Sequence, residues 1–256
     1  MKQENMKIVN QIQLAPTIYE LTLEGQLVQE MQMPGQFLHL KVPREDLLLR
    51  RPISIHEINV QEQTCKIIYR TEGQGTSNLS HLLAGDTLDV LGPLGNGFTI
   101  DDLPASSNAL IIGGGIGVPP LYELSKQLVT KGLTVTHLFG FATAEVSYHL
   151  DKFRALGEAV ITTDDGSLGE KGTVAQQFPR LPMPDVVFSC GNNGLLRAVE
   201  QYYHPDVQNV QLSLEARMAC GIGACYACVC PKTEDKMKSV KVCDEGPIFQ
   251  AGEVLI

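Results

Sequence analysis

Through its first hundred residues the chain alternates short β-branched, aromatic and aliphatic runs with Gly, Pro, Asn and Asp. Lys7–Val9, Ile18–Leu23, Gln36–Val42, Ile53–Ile55, Cys65–Arg70 and Thr87–Leu91 each fit a strand. Six short strands at this spacing predict a small antiparallel β barrel or sandwich. From residue 109 the rhythm changes. Ala109–Ile112 reads as a buried strand, Pro120–Thr130 as a helix and Thr134–Phe139 as a strand. A helix-like stretch Ser147–Leu156, strands at Ala159–Thr162 and Val186–Ser189, and a helix Gly194–Tyr203 continue the alternation. Strand–helix alternation predicts an α/β doubly wound parallel sheet. Asp101–Asn108 reads as the linker. From about Ser213 regular periods fade, so three units are expected: 1–101, 102–212 and 213–256. The last is too short to bury much apolar surface alone, and a bound metal centre would supply stability.

The 256 residues are 43% hydrophobic, enough for real cores, with a net charge of −9. Without a basic run to offset it, that charge argues against nucleic acid and against an acidic membrane surface as partners. The polar start Met1–Lys7 lacks the apolar core of a signal peptide, and the apolar stretch Ala109–Leu124 is broken by glycines and prolines. A soluble cytoplasmic protein is expected.

Gly113-Gly114-Gly115-Ile116-Gly117-Val118-Pro119-Pro120 follows a strand and opens a helix. Glycines there allow a sharp turn and bring phosphate to the N–H groups at the positive helix end, which suits a nucleotide. A ligand-free tight turn is the alternative, because the spacing departs from G-x-G-x-x-G. The run resembles the pyridine-nucleotide domain of the ferredoxin reductase superfamily, and Cys190-Gly191-Asn192-Asn193 resembles that superfamily's C-G-x-x segment. The resemblance places Cys190 beside the nicotinamide carbon that exchanges hydride, whereas the residue alone reads equally as a small core side chain.

Arg50-Arg51-Pro52-Ile53-Ser54 resembles the R-x-x-S flavin motif of the same superfamily. A guanidinium fork held on a strand suits phosphate oxygens; a surface Arg pair is the alternative. Ile68-Tyr69-Arg70, Gly73-Gln74-Gly75-Thr76-Ser77 and Gly92-Pro93-Leu94-Gly95-Asn96-Gly97-Phe98 follow in the order of that superfamily's FAD barrel. Ile53 departs from it, standing where many relatives place a flavin-stacking Tyr.

Four of the seven cysteines, Cys220, Cys225, Cys228 and Cys230, crowd together. Cys220-x4-Cys225-x2-Cys228 is the plant-type 2Fe–2S spacing, and Cys243 offers a fourth thiolate. Zinc is the alternative, although only Cys225 and Cys228 form the C-x2-C knuckle it favours. Cys230, followed by Pro231, competes weakly as a ligand. Cys65 carries no assigned role.

Barrel, nucleotide domain and C-x4-C-x2-C-x14-C tail, in that order, resemble the electron-transfer subunits of class 1B dihydroorotate dehydrogenases. The resemblance makes 1–101 an FAD-binding barrel, 102–212 an NAD-binding domain and 213–256 an iron–sulfur segment. It implies FAD on Arg51, Pro52, Ile53, Ser54, Ile68, Tyr69, Arg70, Gly75 and Thr76, and NAD on Gly113, Gly114, Gly115 and Gly117. It implies a 2Fe–2S cluster on Cys220, Cys225, Cys228 and Cys243. The expected partner is an FMN-containing catalytic subunit, in a heterotetramer of two of each, passing electrons to NAD+ in pyrimidine (UMP) biosynthesis. The same motifs fit an NAD(P)H-reactive subunit of a hydrogenase, a sulfide dehydrogenase or a ferredoxin:NADP oxidoreductase. NAD is preferred over NADP because no basic pair stands near Phe139-Gly140-Phe141-Ala142-Thr143 to meet a 2′-phosphate.

Overall fold

Period-2 alternation becomes an inside and an outside. Along β1 (Lys2–Ala15) of the computed structural model, which describes residues 1–256, Met6 and Ile8 are buried while Lys7 and Val9 are exposed. β2 (Ile18–Glu24), β3 (Phe37–Leu40), β4 (Arg51–Asn59), β5 (Thr64–Arg70) and β6 (Thr87–Leu94) complete a closed antiparallel barrel in the order β1-β2-β5-β4-β3-β6. Leu21 pairs with Ile67 and Leu23 with Cys65, so their side chains meet Leu38, Ile55 and Val90 in one interior. Cys65 thereby has a place as a barrel core residue, and burial pushes its thiol up to about 12. A short helix, α1 (Gln74–Leu79), crosses after β5.

The second unit is an open sheet: β7 (Asn108–Gly114), β8 (Thr134–Phe141), β9 (Glu158–Thr163), the two-residue β10 (Glu170–Lys171), β11 (Val186–Cys190) and β12 (Asn209–Ser213) run parallel. In β7, Ala109 and Ile111 pack toward α2 (Leu121–Lys131), whereas Leu110 and Ile112 pack toward α4 (Asn193–Tyr203). A strand buried on both faces explains its unbroken apolar run. The order β10-β9-β8-β7-β11-β12 makes β7 and β11 the neighbours between which the winding reverses. Ligands of such sheets sit at that reversal, outside the carboxyl ends of the strands.

Three local expectations change. The helix expected over Ser147–Leu156 shortens to α3 (Leu150–Arg154), because His149 at its start has φ of 53°, a left-handed conformation that a continuing helix excludes. β12 and β10 carry no strand expectation in the sequence. The last forty residues also hold more structure than their composition suggests: β13 (Val229–Pro231) pairs with β14 (Ser239–Lys241), and β15 (Ile248–Gln250) joins the large sheet antiparallel to β12. Val240, Val242, Cys243, Phe249 and Val254 share one core with Leu196, Val199 and Leu212. The segment is thus held by borrowed apolar surface and not by a metal centre alone. No helix is long and apolar enough to cross a membrane.

Candidate functional site

Arg50 and Arg51 are adjacent in sequence but do different work. Arg50 donates to both carboxylate oxygens of Asp89 (2.8 and 2.9 Å) and to the carbonyls of His39 and Asp89, which closes the barrel between β3, β4 and β6. Arg51 is bound only by the Leu49 carbonyl at 2.5 Å, and its guanidinium lies against Gly75 at the start of α1, where any Cβ would collide with it. The guanidinium and the first turn of α1, open at Gly75, therefore form a cradle fit for a phosphate. Pro52, Ile53, Ser54, Ile68, Tyr69, Arg70 and Thr76 line an adjoining cavity of about 260 Å3. Its walls suit a planar aromatic ring: Ile53 supplies an aliphatic surface and Ser54 a hydroxyl.

A second cavity of about 510 Å3 opens over the carboxyl ends of β7 and β8, lined by Gly114, Gly115 and Gly117. Gly115 has φ of +51°, and its carbonyl accepts from the Tyr148 hydroxyl at 2.8 Å, which fixes the turn. Gly113 does not reach the cavity. A Cβ there would stand 2.9–3.0 Å from Val118, Leu121 and Phe139, so the residue serves helix–sheet packing. Arg70 is the one cation on the lining, against Asp164 and Glu215.

Arg70, Ile116 and Glu215 line both cavities, which are therefore continuous. Cys190 stands at the junction, at the end of β11, and Gly117 lies against it: a Cβ on Gly117 would stand 2.5 Å from the Cys190 carbonyl oxygen. Burial pushes the Cys190 thiol up to about 12, so it presents a neutral S–H and not a thiolate. Glu215 is a residue the sequence left unremarked. Burial first, then the nearby Glu72 charge, raise its carboxyl above the ordinary value. It stands two residues beyond the end of β12 at Ser213, and recognising that strand would have put it near the carboxyl edge where ligands gather.

From the first cavity the chain runs through Leu214, Ala216 and Met218, all on the lining, into the cysteine loop at Cys220. Gly221 and Gly223 adopt φ of +72° and +76°, and the loop's amides turn toward sulfur: Gly223 N–H donates to Cys243 Sγ (3.1 Å) and Ile222 N–H to Cys220 Sγ (3.5 Å). Burial opposes ionisation of Cys220, but the Ile222 amide and the hydrogen bond with Cys225 outweigh it and bring the thiol down to about 7. Four thiols with N–H groups aimed among them fit an iron–sulfur cluster. Cys230 points elsewhere, donating to the Leu255 carbonyl at 3.0 Å. The loop rests on the barrel at His39, a fully buried residue of β3 whose ring a Cβ on Gly221 would meet at 2.5 Å.

The profile of the iron–sulfur cluster binding domain of dihydroorotate dehydrogenase B matches residues 215–255. A dihydroorotate dehydrogenase B (NAD(+)) electron transfer subunit of Enterococcus faecalis is 57% identical over 100% of this chain and 99% of its own length. The chain belongs to that family. Members from Listeria monocytogenes (52% identical, 99% of each chain) and a Geobacillus species (51%, 100% of each) align as completely. Among solved structures, that of a NADH-dependent reduced ferredoxin-NADP oxidoreductase matches with a TM-score of 0.87 and 26% identity, over 98% of this chain and 90% of its own. An Amycolatopsis cytochrome P450 reductase shares the fold (TM-score 0.70, 19% identity, 82% and 69% covered).

Proposed function

We propose that the chain is the electron-transfer subunit of a NAD+-linked dihydroorotate dehydrogenase serving pyrimidine synthesis, with FAD, a 2Fe–2S cluster and NAD as its cofactors. When bound, FAD joins one-electron traffic at the cluster to hydride exchange with NAD+. Arg51 and the first turn of α1 would hold the diphosphate, while Pro52, Ile53, Ser54, Ile68, Tyr69, Arg70 and Thr76 would line the space for the ring. Gly114, Gly115 and Gly117 admit the dinucleotide against the end of β7. Cys190 fills the space beside the nicotinamide as an uncharged group. Cys220, Cys225, Cys228 and Cys243 hold the iron. NAD rather than NADP is supported by a second cavity that offers Asp164 for a ribose hydroxyl and no cation besides Arg70.

The observation that carries this reading is the continuity of the cysteine loop, the first cavity and the second along residues 214–220, Cys190, Arg70 and Glu215. None of the sheets present is a (β/α)8 barrel, so we place the pyrimidine site on a partner, read as an FMN-bearing catalytic subunit. We assign units 1–101, 102–212 and 213–256 to FAD, NAD and iron, and a cytoplasmic assembly of two copies of each subunit. Alone, the flavin-loaded chain should reduce an artificial dye with NADH; together with the partner it should reduce NAD+ with dihydroorotate. NADH-dependent dye reduction without any dihydroorotate-dependent NAD+ reduction in the reconstituted pair would overturn the assignment of substrate, and a strong NADPH preference would overturn that of the nucleotide.

A further inference from the structure

Behind the flavin cavity, where the barrel meets the nucleotide domain, three side chains from distant parts of the chain converge. Glu20 comes from β2, His56 from β4 and His149 from the turn before α3. One ligand atom from each lies within 4.8 Å of the others. None takes part in holding FAD, NAD or iron as described above.

The hydrogen bonds fix the ring chemistry. His56 Nδ1 lies 2.8 Å from the Pro119 carbonyl, which can only accept, so Nδ1 carries the proton and Nε2 a bare lone pair. That Nε2 is buried without a partner in a residue of zero exposure. An orphaned buried imidazole nitrogen is destabilising, and an occupant would remove that cost. A backbone carbonyl on the far ring nitrogen is also the outer support that metal-ligating histidines use to set tautomer and orientation. His149 Nε2 lies 2.6 Å from Glu20 Oε2, and the His56 and His149 rings are nearly parallel, with centroids 5.4 Å apart. An imidazole lone pair lies in its ring plane, so for rings stacked at 12° a shared ion requires one of them, His149 as the more exposed, to turn about its side-chain torsions.

We propose that Glu20, His56 and His149 form a binding site for a divalent transition ion of the zinc class that clasps the barrel to the nucleotide domain. Two imidazole nitrogens and a carboxylate oxygen give three protein ligands and leave the fourth position to water. The ion displaces the proton shared by His149 and Glu20, which leaves to solvent. His149 provides the way in, being the most exposed of the three at 15% against 7% for Glu20. Nearby Lys66 and Lys152 are turned to Glu57 at 3.2 and 3.5 Å, and Lys66 also reaches Glu20 at 3.9 Å, so an ion competes for Glu20 with a lysine as well as with His149. The existing His149–Glu20 hydrogen bond is the competing state, and it makes occupancy depend on free metal concentration.

The test uses the chain purified with flavin and iron in place, so that the four cluster cysteines are occupied. After equilibration with micromolar Zn2+ and dialysis, elemental analysis should find one zinc per chain with the iron content unchanged. The variants H149N and E20Q should bind zinc on the order of 100-fold more weakly. Zinc-edge X-ray absorption of the wild-type chain, which depends on no variant folding, should show imidazole nitrogen and carboxylate oxygen and no sulfur. Zinc binding by E20Q and H149N as tight as that of the wild-type chain, no uptake by the wild-type chain, or sulfur in the zinc shell would each overturn the proposal.

Discussion

Gly117 offers a sharp test of where hydride transfer takes place. An Ala Cβ at this position would stand 2.5 Å from the Cys190 carbonyl oxygen, 2.6 Å from its carbonyl carbon and 2.7 Å from Gly191 Cα, against an ordinary contact beginning at 3.4 Å. All three are backbone atoms at the end of a central strand, so no side chain can swing aside. The turn after β7 and the end of β11 must separate by roughly 0.9 Å, the difference between ordinary contact and the tightest imposed one. A displacement near 1 Å at a reacting pair costs about 100-fold in rate. G117A should therefore slow flavin reduction by NADH, followed by bleaching in a stopped-flow mixer, by roughly 10- to 100-fold. FAD and iron contents should stay at wild-type values, since Gly117 touches neither the Arg51 cradle nor the cysteine loop. A G117A chain with full cofactor content and a bleaching rate within a factor of two of wild type would refute the placement of the nicotinamide at the Gly117–Cys190 junction.

At the flavin cradle, G75A should push the Arg51 guanidinium aside and weaken FAD binding by about 1.5–3 kcal/mol, the worth of a charged hydrogen bond. G73A, whose Cβ meets nothing within 4 Å, should leave the affinity of the apoprotein unchanged; fluorescence titration with FAD distinguishes the two. C230S should keep its iron and its visible spectrum, because the thiol is turned to the Leu255 carbonyl, whereas C228S should lose both. Burial lowers His137 from 6.5 to about 4, so the unfolded chain takes up the proton first as pH falls. The stability this group contributes is complete above pH 6.5 and about 3 kcal/mol of it disappears by pH 4. Urea midpoints of wild type and H137Q across that range should differ in slope, and equal slopes would remove His137 from the acid response.

Which of these features could be read in advance depends on how far apart in sequence the interacting groups lie. The cysteine loop is legible because three of its thiols sit within nine residues, and spacing on that scale largely dictates what the backbone can wrap. The barrel is legible because a one-sided core imposes period-2 alternation on β1, β2 and β5, whatever they pair with. β12 escapes notice because Gln211 is buried inside it and reads as surface: its side-chain amide exchanges hydrogen bonds of 2.8 Å with the Thr99 backbone, a partner 112 positions away. With the strand went its carboxyl-end residue, Glu215, although the rule that would have located it was already applied to β7. Between Arg50 and Arg51 the R-x-x-S spacing already selects Arg51, and Asp89, 39 residues on, adds the reason that Arg50 is not free for phosphate. Most distant of all is the meeting of Glu20, His56 and His149. It depends on domain docking and on a left-handed His149 that the helical pattern of its neighbours gives no reason to expect. Chemistry written in local spacing was visible in the chain, whereas chemistry written in packing between domains became visible only when the fold set those residues side by side.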